Sequence, residues 1–155
     1  LLYGKGIEMY QVRMYLLTLR KQPSRGRGYF GYRLEFVGQN GKLHEKEVFD
    51  EEKDITANQL ALVAMYRAFE ELKKPCEVEV FTDSLYLRGN FVTNLANWTL
   101  NSWLNAKGAP VANGELWRQL EEITQPHVVR FNTAYQWPAR ARMTDRLQRM
   151  KMEGA

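Results

Sequence analysis

A mixed α/β domain is what this sequence predicts, and three observations predict it. Residues 9–49 hold three strand-like runs joined by turn residues. A capped amphipathic helix and an apolar-alternating strand then come one directly after the other, the pattern of a strand-helix-strand crossover. Beyond them come helical stretches, one short strand and a basic closing helix. Met9 to Leu19 alternates and is rich in Val, Met, Tyr and Leu, which argues a strand, and Gln22-Pro23-Ser24-Arg25-Gly26-Arg27-Gly28 breaks it with turn residues. Tyr29 to Val37 is the second strand. Gln39-Asn40-Gly41-Lys42 supplies an Asn-Gly hairpin turn, and Leu43 to Phe49 is a polar-alternating third strand with one exposed face. Thr56-Ala57-Asn58-Gln59 has the form of a capping box, Thr reaching forward and Gln reaching back, ahead of a helix with Leu62, Met65, Phe69 and Leu72 on one stripe. Lys73-Lys74-Pro75 ends that helix. Glu77 to Thr82 is the fourth strand, expected parallel to the first. Helices are expected near 84–90, 94–104 and 114–124, with Lys107-Gly108-Ala109-Pro110 between the last two. Val128 to Asn132 is the last strand, and a helix from Ala139 to Lys151 closes the chain.

Length and composition bound the rest. The 155 residues make one domain, long enough to bury about two thirds of the chain's surface without crosslinks. One cysteine, Cys76, rules out a disulfide framework and fits a reducing, cytoplasmic setting; it is expected to be a small buried hydrophobe just before a strand. No apolar run approaches the ~18 residues of a membrane span, so no membrane partner is expected. The chain begins Leu1-Leu2, and we expect a processed form or one domain of something longer. Residues 1–33 carry seven Lys/Arg against one Glu, residues 34–126 nine against fifteen acids, and residues 127–155 six against two. Two basic ends flank an acidic middle. If the ends meet in space they form a polyanion-facing surface; otherwise they are a solvated basic face.

Asp83 is the most informative residue. It ends the strand in the run Val78-Glu79-Val80-Phe81-Thr82-Asp83-Ser84-Leu85-Tyr86, a carboxylate at the C-terminal tip with Ser84 opening the next element. This run resembles the central strand of ribonuclease H-like domains, where a strand ends in Thr-Asp-Ser before a helix carrying an aromatic. Trp98 and Trp103, then Pro110-Val111-Ala112-Asn113-Gly114-Glu115-Leu116-Trp117, then Asp145 come in the order and approximate spacing of bacterial type 1 ribonuclease H. The resemblance spans nearly the whole chain. It implies a single domain over 1–155 with a ribonuclease H-like fold: a five-stranded mixed sheet in the order 3-2-1-4-5, flanked by helices, with the tips of strands one and four adjacent.

The same resemblance implies cleavage of nucleic-acid backbones with two metals. Two Mg²⁺ ions ~3.5–4 Å apart repel one another and need about four acidic side chains to hold them at one phosphate. Aligning strand one by its alternation puts Leu17 where the family has its bridging acid, and a one-residue shift puts Thr18 there. Glu8 lies at the wrong end of the strand. The second acid falls on Ala61, about three residues after Asn58, while Asp83 and Asp145 match the third and fourth. Two of four acids are left, enough for at most one weak, largely hydrated Mg²⁺. The expected cofactor is therefore none, with Mg²⁺ entering only if residual activity survives, and the expectation is a pseudoenzyme. Plain structural roles stand beside these. Asp83 suits the cap of the helix beginning near Ser84, and Asp145, among Arg142, Arg146 and Arg149, suits an ion pair on a basic helix. The loop 132–138 has no His where the family carries one, and His44 and His127 are expected to be ordinary polar residues.

On the substrate side, Thr56 and Asn58 resemble a phosphate-contacting Thr and a groove-contacting Asn, though both also suit a helix N-terminus. Trp98 and Trp103 resemble the tryptophans of a basic helical handle, but Thr99, Leu100, Asn101 and Ser102 lie between them and Leu104 comes next, so the cations are gone. Lys107 alone cannot supply counterion release. Arg20, Lys21, Arg25 and Arg27, with Arg140, Arg142, Arg146 and Arg149, are the better phosphate contacts. Three functions are compatible with this pattern: a nucleic-acid-binding module without nuclease activity, for RNA/DNA hybrid or duplex; a protein-protein scaffold using the uncharged face around Leu100 and Leu104; and a metal-dependent RNA/DNA-hybrid endonuclease with a rearranged site.

Overall fold

The computed structural model describes residues 2–3, 7–20, 24–38 and 40–154. Two short strands, β1 (Leu2–Tyr3) and β2 (Ile7–Glu8), pair antiparallel ahead of the main sheet. The main sheet is built from β3 (Tyr10–Leu19), β4 (Gly26–Val37) and β5 (Leu43–Ile55), then β6 (Cys76–Thr82) and β7 (Val128–Phe131). Its order is β5-β4-β3-β6-β7, the expected 3-2-1-4-5 once strands are counted from β3. The first three strands pair antiparallel, while β6 lies parallel to β3 and β7 parallel to β6.

Helix α1 (Ala57–Glu70) makes the crossover from β5 to β6. Its start is the expected capping box: the Thr56 hydroxyl accepts from the Gln59 amide, and the Gln59 side chain accepts from the Thr56 amide. Leu60, Leu62, Met65 and Phe69 are buried against Met14, Leu16, Val78 and Val80 on one face of the sheet. The opposite face is covered by α5 (Arg140–Glu153), whose Met143 and Leu147 pack with Tyr15, Leu17, Phe81 and Trp137. Buried on both faces, the central strand needs an unbroken apolar run, and Met14-Tyr15-Leu16-Leu17 provides it. Between β6 and β7 lie α2 (Leu85–Thr93), α3 (Leu95–Leu100) and α4 (Gly114–Thr124). On β4, a Cβ at Gly31 would lie 2.6 Å from the Phe49 ring, so a glycine is what lets β5 approach there.

Three expectations are corrected. The third strand runs on from Phe49 to Ile55, because Asp50 to Ile55 continue the ladder with β4. The helix expected over 94–104 stops at Leu100: Ser102 and Trp103 take positive φ of 57° and 63°, and the Trp103 amide donates back to the Trp98 carbonyl at 2.8 Å. That bond closes a Schellman-type end, after which Leu104 bridges to Pro110. Finally, Asp83 does not cap the helix after it. Ser84 does, its hydroxyl accepting from the Leu87 amide at 3.0 Å. Gln39 of the expected hairpin turn and Lys21, Gln22 and Pro23 of the expected break lie outside the described residues; Gly41 takes φ 78° in the turn, as a residue after Asn in such a hairpin should.

Candidate functional site

Register places the site. Leu16 pairs with Thr82 across the parallel β3–β6 ladder, so Leu17 lies level with Asp83 just past the end of β6, while β3 itself runs on to Leu19 beside β4. Thr18 comes next and partners Asp83 directly: its amide lies 3.5 Å from one carboxylate oxygen and its hydroxyl 3.4 Å from the other. The two strand tips are thus adjacent. Burial pushes the Asp83 carboxyl above its usual range, opposed by the Thr18 amide and the nearby positive charge of Arg140. Leu17 is 3 % exposed and sits in the apolar cluster beneath α5, with Tyr15, Phe81 and Trp137. Ala61 is 2 % exposed and belongs to the other cluster, under α1.

Asp145 is placed differently from Asp83. Its side chain is 68 % exposed and pairs with Arg149 at 3.2 Å, one turn along α5. Among the described residues, no three His, Cys, Asp or Glu side chains gather as a metal-ion donor set. Paired Mg²⁺ ions need about four carboxylates, and the groups around Asp83 are a leucine, a threonine and an arginine, which do not fit such a centre.

Three of the candidate phosphate contacts, Arg25, Arg27 and Arg142, are engaged with acids of β5. Arg25 pairs with Asp54 at 3.0 Å and donates to the Gln59 side chain. Arg27 pairs with Glu51 at 2.5 Å. Arg142 makes a two-pronged contact with Glu47, one prong at 2.6 Å, and this guanidinium holds the Glu47 carboxyl below its usual range. Arg33 binds Glu35 and Glu47 alongside it. The basic ends therefore do meet in space, and they meet an acidic strand. Arg140 is different: it donates to the Tyr135 carbonyl and lies over the Trp137 ring at 5.2 Å.

Thr56 is engaged as the α1 cap, whereas Asn58 is exposed on the first turn. Trp98 packs edge-on against Trp117 with centroids 5.5 Å apart, and Trp103 is half-buried beneath Arg118 at 5.5 Å. Cys76 is buried at the start of β6, and His127 accepts from its amide at 3.0 Å. His44 stacks on Phe36.

Sequence reasoning missed two groups. Tyr86 is a hub, its hydroxyl accepting from Asn113 at 3.0 Å and from the Trp117 indole at 2.9 Å, while Asn113 in turn accepts from Gln59 at 3.1 Å. This ties the start of α1 to α2 and α4. Arg88, one turn into α2, lies over the Tyr135 ring at 5.5 Å. Its only sequence signal was helical spacing from Ser84.

Comparison with known proteins agrees with this architecture. The RNase H family model matches residues 19–147. The Ribonuclease H of Nitrosospira multiformis is 39% identical over 104 residues, covering 67% of this chain and 64% of that protein. That of Ralstonia nicotianae is 43% identical over 86 residues, covering 56% of this chain and 57% of that protein. The matched stretch thus spans less than two thirds of either relative. Among solved structures, LC9-RNase H1, described as a type 1 RNase H with the type 2 active-site motif, superposes with a TM-score of 0.73 at 21% identity, over 93% of this chain and 71% of that one. The PFV RNase H domain superposes with a TM-score of 0.64 at 18% identity, over 92% of each chain. With a family model matched across most of its length and the same sheet order, the chain belongs to the RNase H family.

Proposed function

We propose that this chain is an RNase H-family domain that binds nucleic acid through its phosphate backbone without hydrolysing it. The observation that carries the reading is Leu17, buried at the β3 tip level with Asp83 where the family resemblance calls for a metal-bridging acid. A hydrocarbon there can neither hold a divalent ion nor help generate the attacking hydroxide. Buried Ala61, and Asp145 turned to solvent beside Arg149, support the same conclusion. Support for nucleic acid as the partner comes from the family and from a neighbour of the same fold, the foamy viral protease-reverse transcriptase, solved with an RNA/DNA hybrid and with dsDNA. No helix among the described residues is long and apolar enough to cross a membrane.

The test is a pair of assays on the purified chain. Incubation with RNA/DNA hybrid in Mg²⁺ or Mn²⁺ should give no cleavage above that of an Asp83→Asn control. Anisotropy titrations against hybrid, duplex and single strands should show weakly sequence-dependent binding that falls steeply with salt, with a slope of ~0.9 per phosphate contact on duplex DNA. Cleavage abolished by Asp83→Asn would establish the nuclease with a rearranged site instead. One observation favours a second reading, a protein-docking face: Leu100 is 82 % exposed beside half-exposed Leu104. Absence of nucleic-acid binding at low salt, together with a partner lost on Leu100→Glu, would establish that reading.

A further inference from the structure

We infer that Arg88 and Arg140, brought together around Tyr135 at the mouth of the β3–β6 tip, form a phosphate-binding site that works without a metal ion. This deepens the nucleic-acid reading and rests on it for the identity of the natural ligand. Among the described residues, eight arginines have a carboxylate within ion-pair distance: Arg13, Arg25, Arg27, Arg33, Arg67, Arg130, Arg142 and Arg149. Arg88 and Arg140 are not among them, and they are the two that reach the loop between β7 and α5. The Arg88 guanidinium lies over the face of Tyr135 at 5.5 Å, and Arg140 donates to the carbonyl of the same residue. One residue therefore fixes both cations.

The arrangement leaves bonding capacity open. One terminal nitrogen of Arg88 is buried with no hydrogen-bond partner. A guanidinium stays ionised at any accessible pH and offers five donors in a planar fork. A charged donor withdrawn from water and left unpaired is costly, and an arriving anion recovers that cost. Asp83, which feels the positive charge of Arg140, does not take the role: its oxygens face Thr18, and among the described residues it makes an ion pair with neither arginine. A phosphate oxygen pair matches the fork geometry, whereas a carboxylate of the chain itself is not supplied. Where a metal-dependent relative would use cations carried by acids, this chain would use cations of its own, and the ligand class is a phosphate monoester or diester. A nucleic-acid backbone and free phosphate share that chemistry.

Two arms separate the sources. In the first, hybrid binding by the whole chain is followed by anisotropy in EDTA, with Arg88→Gln, Arg140→Gln and the double substitution. The expected result is binding unaffected by EDTA, weakened at least tenfold by the double substitution, with the salt slope lowered by roughly one to two units. Arg88→Lys with Arg140→Lys should retain most of the slope, since charge persists, yet bind less tightly because the fork is lost. Double-substituted protein that binds like the unmodified chain overturns the site while leaving the nucleic-acid reading intact. In the second arm, side-chain ¹⁵N signals of Arg88 and Arg140 in the unmodified chain are tracked as inorganic phosphate replaces chloride at constant ionic strength. Saturable shifts confined to these two arginines support the site even if no nucleic acid binds, which would sink only the functional reading. Shifts spread over all exposed arginines, or none, overturn it, and this arm decides if the substitutions prevent folding.

Discussion

Placing an acid beside Asp83 is the sharpest perturbation of this site, and Leu17→Asp should destabilise the fold rather than create a metal centre. Leu17 is 3 % exposed, enclosed by Tyr15, Phe81, Trp137, Met143 and Leu147. Losing a buried leucine side chain costs ~2–5 kcal/mol, and placing a carboxyl in the gap adds ~1–3 kcal/mol even when it is neutral. A net loss of about 3–8 kcal/mol is a large share of the stability of a domain this size. With a urea slope of ~1–3 kcal/mol per molar, the unfolding midpoint should fall by at least ~1 M. The pH dependence identifies the cause. Burial already raises the Asp83 carboxyl next door, and the introduced carboxyl should be raised for the same reason. A group raised in the folded state loses stability as pH climbs through its folded value, so the deficit should be smallest below the ordinary carboxylate pKa of ~3.9 and largest at neutral pH. Leu17→Asn should show the cavity cost without that slope. A midpoint unchanged within ~0.3 M, or calorimetric Mg²⁺ binding by Leu17→Asp at millimolar concentration, would refute the argument that apolar packing has closed the site.

Asp83→Asn should raise the urea midpoint at neutral pH, because burial disfavours the ionised carboxyl, and the gain should vanish below ~pH 3.9, where the unmodified side chain is neutral in both states. Thr56→Ala removes one half of the α1 capping box and should cost about 1 kcal/mol in chemical denaturation, leaving any nucleic-acid affinity within twofold if Thr56 only caps. Gly31→Ala should cost ~1–3 kcal/mol, since its methyl would meet the Phe49 ring at 2.6 Å; thermal unfolding alongside Gly41→Ala, whose cost is backbone strain at φ 78° with no contact, separates overpacking from strain.

The fold was legible where local chemistry and period agreed. Thr56 and Gln59 announced α1, and the apolar enrichment of Met9 to Leu19 announced a strand, although reading it as alternating missed that Met14 to Leu17 are buried on both faces. Boundaries failed where local signals were overruled by distant partners. Asp50-Glu51-Glu52-Lys53 has the composition of a loop, yet β4 holds it as strand, and its Glu51 meets an arginine 24 residues away. Ser102 adopted a left-handed conformation with no glycine to signal it, which shortened α3. At the site, alternation alone could not choose between Leu17 and Thr18 at the strand tip. The β3–β6 register does: Leu17 is level with Asp83 and buried, and Thr18 is the residue that touches it. Arginine pairing was hidden for a simpler reason, since Arg142 and Glu47 stand 95 residues apart.

β5 is the outermost strand on its side of the sheet, thirteen residues long, with one margin carrying unpaired peptide groups. Such a margin is a template on which a second molecule could extend the sheet. Its sequence holds Glu45, Glu47, Asp50, Glu51, Glu52 and Asp54 against Lys46 and Lys53. Two copies meeting margin to margin would bring their carboxylates into register, and like charges facing one another across a ladder are repulsive. The acids that tie down arginines within one molecule thereby also keep molecules from zipping together, so stripping them would be felt first as precipitation and only then as loss of fold.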